Sequence, residues 1–132
     1  MEKRAKILLV DDDPDFVEAT KIVLESKPYQ VITAFDGDEG LEKARKEKPD
    51  LILLDIIMPR MDGFKVCESL KKEPELAKIP VIMITSFSER VGETSLALSQ
   101  GLALEAEDFI DKPVAPAELL IRVEKQLKRR SS

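Results

Sequence analysis

Histidine and tryptophan are absent from the 132 residues, cysteine and tyrosine occur once each, and aromatic residues make up 5% of the chain. Each absence removes chemistry. Without histidine there is no imidazole general base, no Ser-His-Asp or Cys-His nucleophile, and no zinc site that relies on imidazole. Cys67 has no partner for a disulfide within the chain, as in proteins of reducing compartments. No apolar run approaches the roughly 18 residues of a membrane span, and no charged-then-apolar leader precedes a small-residue cleavage site. The expected location is therefore cytoplasmic, without membrane contact. Chemistry must come from carboxylate, ammonium, hydroxyl and backbone groups.

What is present is a chain of 43% apolar and 36% charged residues, with 26 acidic against 21 basic side chains and a formal charge of −5. A chain of this length buries about two thirds of its unfolded surface and needs no metal or disulfide staple. A single domain over 1–132 is expected, with a core over about 5–128 and residues 129–132 as a tail. The acidic balance argues against a broad nucleic-acid footprint. The one basic cluster, Lys128-Arg129-Arg130, reads as a helix end favoured by the helix dipole.

Short β-branched or leucine-rich runs alternate with stretches of helical period, the pattern of βαβ units around a parallel sheet. The runs are Ile7 to Val10, Val31 to Ala34, Leu51 to Leu54, Val81 to Ile84, and Phe109 to Ile110. The first, third and fourth are apolar throughout, as suits central strands buried on both faces. Asp13-Pro14 predicts a helix start, with Phe16, Val17, Thr20, Val23 and Leu24 inward. A second helix follows Asp36-Gly37-Asp38 with Leu41 and Ala44 inward. A third follows Asp62-Gly63 with Phe64, Val66, Cys67 and Leu70. Gly92 and Gly101 interrupt the next segment, where one helix is expected over roughly Glu93 to Gln100. The fifth begins near Pro116 behind Ala115, a weak cap that favours fraying, with Leu119, Leu120, Val123 and Leu127 inward.

A doubly wound sheet binds its ligands at the carboxyl ends of its strands. There the sequence places Asp11-Asp12-Asp13, Asp55, Thr85-Ser86 and Asp111-Lys112. Asp11, Asp12 and Asp55 gathered together would repel one another unless a cation neutralised them. Oxygen ligands without His or Cys point to Mg2+. An acid cluster with magnesium, a lysine and a hydroxyl suits phosphoryl transfer, which needs an in-line nucleophile and positive charge on the equatorial oxygens. Asp55 is the best nucleophile, with Lys112 stabilising charge and Thr85 donating to a phosphoryl oxygen. Each motif alone has a plainer explanation: Asp-Asp-Asp before Pro14 as a solvated cap, Lys-Pro as a turn, Asp55 as a loop acid.

Four motifs in order, ILLVDDD at 7–13, LILLDIIMPRMDG at 51–63, VIMITS at 81–86 and FIDKPV at 109–114, resemble those of response-regulator receiver domains over almost the whole chain. The resemblance implies a flavodoxin-like α/β fold: a doubly wound five-stranded parallel sheet, order 2-1-3-4-5, with five helices on its two faces. It implies Asp55 as phosphoacceptor and catalytic roles for Thr85 and Lys112. Asp11, Asp12, Asp55 and the carbonyl of Ile57 would be metal ligands, and Lys112-Pro113 would be cis. The donor would be a sensor histidine kinase or phosphotransfer protein. The output would be a downstream protein effector or a phosphorylation-dependent homodimer, with no nucleic acid bound directly. The implied protein is no enzyme, but a self-phosphorylating acceptor and slow autophosphatase at most.

In such a switch Thr85 is drawn toward the phosphate and the aromatic Phe109 turns in behind it, as a two-state equilibrium. Phe109 lacks the hydroxyl of the commoner tyrosine, so its inward state needs no polar partner. Ile57 and Phe87, which match positions flanking the hydrolytic water, are apolar and predict a long-lived phosphorylated state. Thr85 and Lys112 stand 27 positions apart, more than the family usually shows, and the extra residues follow Gly101, within the family's dimer face. Other readings are a magnesium-dependent phosphohydrolase and a phosphorylation-independent interaction module. The hydrolase would need an acid where Ile57 stands. A flavodoxin-like FMN site would need a Gly, Ser or Thr loop in place of Asp11-Asp12-Asp13. The chain is expected to be either a stand-alone domain acting through a protein partner or part of a longer chain.

Overall fold

The computed structural model describes residues 4–55, 63–85, 106–111 and 114–131. Five strands, β1 (Ala5–Val10), β2 (Tyr29–Ala34), β3 (Leu51–Asp55), β4 (Val81–Thr85) and β5 (Asp108–Asp111), form one sheet in the order β2-β1-β3-β4-β5. Every neighbouring pair is parallel. Among the described residues there are four helices, α1 (Pro14–Glu25), α2 (Gly37–Glu47), α3 (Gly63–Lys72) and α4 (Pro116–Ser131). The helix expected over Glu93 to Gln100 lies outside the described residues. α4 runs on through 129–131, part of the expected tail.

The two-residue period of the strands sorts the core onto two faces. Leu8, Val10, Ile52, Leu54, Val81 and Met83 pack with Leu41 and Ala44 of α2 and Val66, Cys67 and Leu70 of α3. The alternate residues Ile7, Leu9, Leu51, Leu53, Ile82 and Ile84 pack with Val17 and Leu24 of α1 and Leu119 and Val123 of α4. This is why the runs Ile7–Val10 in β1, Leu51–Leu54 in β3 and Val81–Ile84 in β4 are apolar throughout: each supplies both faces of a covered sheet.

Local chemistry sets the helix ends. The Asp13 carboxylate accepts from the N–H groups of Asp15 and Phe16, and Pro14 needs no donor at the first helical position. Asp36 caps α2 through the N–H of Glu39. Lys48 ends α2 in the left-handed region at φ 47°, ahead of Pro49. Where α2 crosses β1, a Cβ on Gly40 would stand 3.0 Å from both methyls of Val10, so glycine permits the close approach.

Candidate functional site

The strand order determines which acids meet. β1 lies between β2 and β3, so consecutive connections leave β1 on opposite sides, and the crevice between β1 and β3 is the topological switch point. Val10 pairs with Leu54, which sets Asp11 beside Asp55 on adjacent strands. Neighbouring strands lie about 4.8 Å apart, close enough for their end residues to share a ligand. The backbone N–H of Asp11 donates to the carbonyl of Ala34 at 3.1 Å, which ties the end of β1 to β2. One Asp11 carboxylate oxygen accepts the N–H of Asp13 at 2.9 Å and orients the side chain.

The result is a cluster of Asp11, Asp12 and Asp55 in which one carboxylate oxygen from each lies within 4.8 Å of the others. Asp11 is 0% exposed and Asp55 4%, whereas Asp12 is open to solvent. Burying carboxylates together is costly unless positive charge compensates. The donors are all carboxylate oxygens, a hard set that suits Mg2+, which takes one or two carboxylates and keeps several waters. The residues therefore fit the ion expected from the sequence.

Thr85 closes β4 and Phe109 lies on β5. Ile84 pairs with Asp55 and Thr85 with Asp111, so the end of β4 stands next to the acidic cluster. Phe109 is partly buried against the α2–α3 side of the core. Lys112, Ile57 and Phe87 lie outside the described residues. The structure thus brings together Asp11, Asp12 and Asp55 at the carboxyl edge, with the backbone of Thr85 alongside.

Polar anchors around β5 carry no local sequence signal, because their partners are distant in the chain. Glu107 accepts from the N–H of Val81 at 2.6 Å and from the Lys71 ammonium at 3.3 Å. Arg122 of α4 donates to Asp108 at 2.8 Å and to the Phe109 carbonyl at 3.1 Å. The hydrogen bond to Glu118 pushes the Arg122 guanidinium above its usual value, against desolvation and with help from Asp108. No described helix is long and apolar enough to cross a membrane.

The fold and site define the class: a flavodoxin-like α/β domain with an acid pair buried at the switch point of its parallel sheet. The family model described as response regulator receiver domain matches residues 7–124, and the chain belongs to that family. It is similar to the alkaline phosphatase synthesis transcriptional regulatory protein PhoP of Bacillus subtilis, 41% identical over 124 residues, covering 94% of this chain and 49% of PhoP. Response regulator PleD of Caulobacter vibrioides is 42% identical over 119 residues, covering 90% of this chain and 25% of PleD. The chain thus spans half or less of the length of these relatives. The crystal structure of a CheY-like response regulator receiver domain protein from Methanospirillum hungatei superposes with a TM-score of 0.85 at 32% identity, covering 98% of both chains.

Proposed function

We propose that residues 1–132 act as one receiver domain that accepts a phosphoryl group on Asp55 and changes its surface in response. The observation that carries this is the buried Asp55 carboxylate at the end of β3, gathered with Asp11 and Asp12. Asp11, Asp12 and Asp55, with the carbonyl of Ile57, would hold Mg2+, which when bound supplies positive charge to the transferring phosphoryl oxygens.

The Asp55 carboxylate oxygen attacks phosphorus, a P–O bond forms, and the P–N bond to a donor histidine breaks, the electron pair leaving with the imidazole. Lys112 stabilises charge on the equatorial oxygens and Thr85 donates its hydroxyl to one of them. Phosphorylation draws Thr85 toward the site and Phe109 inward, biasing two states of the β4–β5 face. The donor is a sensor histidine kinase or a phosphotransfer protein and the setting the cytoplasm. The output passes to a protein effector, an attached domain, or a second copy of the chain. The domain is itself no enzyme beyond accepting the group and slowly releasing it.

The test is intact mass after incubation with acetyl phosphate and magnesium, for the wild type and Asp55→Ala. One phosphoryl adduct on the wild type and none on the variant is expected. An unmodified wild type would leave the phosphorylation-independent interaction module as the function.

A further inference from the structure

At the opposite end of the sheet from the acidic cluster, the amino ends of β4 and β5 and the last turns of α4 border an open cavity of about 390 Å3. Lys78, Pro80, Glu107, Gln126 and Arg129 line it. Its volume falls toward the lower end of the roughly 300–1,000 Å3 of small-molecule sites. Three features of the lining bear on what it can hold. Gln126 is only 3% exposed, and its polar side chain is one of those lining the cavity. An occupant there could pair with the amide. Lys78 and Arg129 are exposed cations with no ion-pair partner among the described residues, in a chain whose formal charge is −5. Glu107, the one acid in the lining, is paired with Lys71 and with the N–H of Val81. The cavity therefore presents two positive charges without an ion-pair partner among the described residues, one largely buried amide side chain and an acid whose charge is already balanced.

We infer that this cavity binds a small oxyanion, a phosphate- or carboxylate-bearing metabolite. Lys78 and Arg129 supply the charge and the Gln126 amide N–H2 donates to an anion oxygen. Gln126 and Arg129 stand three residues apart on α4, so they occupy the same side of the helix. Pro80 adds an apolar wall, which gives the carbon skeleton of an organic anion a surface to cover. The site is separate from Asp55: β4 alone, five residues long, spans on the order of 15 Å between the two ends of the sheet.

The test is a titration of the full chain, free of magnesium and at constant ionic strength, followed by 1H–15N NMR. Inorganic phosphate is one arm, acetate the second and chloride the control. Saturable shifts of the Gln126 side-chain amide, together with the backbone amides of Lys78 and Glu107, are expected in one or both oxyanion arms. The stronger arm identifies the headgroup. The double variant Lys78→Gln, Arg129→Gln, which changes exposed side chains only, should bind at least tenfold more weakly. Gln126→Leu, if folded, should weaken binding while keeping both charges. Shifts that drift linearly, that chloride reproduces, or that persist in the charge variant would overturn the site. So would a sedimentation shift to dimer parallel to the NMR change, which would make a second copy the occupant.

Discussion

Glu107→Ala should destabilise the domain far more than its partly exposed position suggests. The Glu107 side chain is 31% exposed, but its carboxylate accepts the backbone N–H of Val81 at 2.6 Å, and Val81 is fully buried. Removing the acceptor leaves a buried donor unsatisfied, at a cost of about 1–3 kcal/mol. The Lys71 ammonium, 11% exposed, keeps the carbonyls of Ala77 and Ile79 as acceptors, so losing the ion pair adds about 1 kcal/mol. The total is about 2–4 kcal/mol. In a domain of this size about 1 kcal/mol moves Tm by roughly 4 °C, so the alanine variant should melt roughly 8–16 °C lower. Glu107→Gln keeps an oxygen for Val81 and loses only the charge, for about 1 kcal/mol and roughly 4 °C. Urea titration by circular dichroism and calorimetric melting measure both. An alanine variant within about 0.5 kcal/mol of wild type, the usual spread of surface substitutions, would refute the reasoning. So would a glutamine variant as costly as alanine.

Magnesium should raise the Tm of the wild type, since an ion at a hundred times its Kd adds about 2.7 kcal/mol when it binds only the folded state. Asp12→Asn, which removes an exposed ligand, should lose about 1.4 kcal/mol of that for each tenfold drop in affinity; equal magnesium shifts in both proteins would exclude Asp12 from the site. The Ile57→Asn, Phe87→Glu double variant should shorten the life of the phosphorylated protein by giving the attacking water polar partners, and unchanged decay would dismiss that account of its stability. Burial, with Glu124 adding and Lys128 opposing, raises the Tyr29 phenol above its ordinary value near 10. A raised folded value contributes stability that is present below the unfolded value and lost as pH rises through the folded one. Urea midpoints of the wild type should therefore fall more steeply above about pH 10 than those of Tyr29→Phe; parallel curves would contradict it.

Much of the architecture can be read from local patterns. Each apolar run falls within one of β1 to β5, and the structure adds one or two residues at one end of β1 to β4 and one at each end of β5, where the ladder continues beyond the apolar stretch. Asp13-Pro14 and Asp36-Gly37 mark helix starts because capping involves only neighbours in sequence. The candidate acids are equally legible, since each directly follows or ends an apolar strand. Gln126 is different. It falls three positions after Val123 on the inward side of α4, yet nothing local distinguishes a glutamine that lines a cavity from one in water. The Lys71–Glu107 pair joins residues 36 positions apart and is invisible to any periodicity.

Composition, period and punctuation, which act within a few residues, were thus sufficient to specify alternating strands and helices and to place acids at the strand ends. Which acids meet was decided by the tertiary structure. Asp11 and Asp55 lie on strands separated by a complete strand and two helices in sequence, and become neighbours only because β2 and β3 pair on opposite edges of β1. The same packing buries Val81 and thereby makes the Glu107 carboxylate a structural acceptor. Local propensities determine which segments become strands; burial of both sheet faces and the register of the ladder determine what stands beside what.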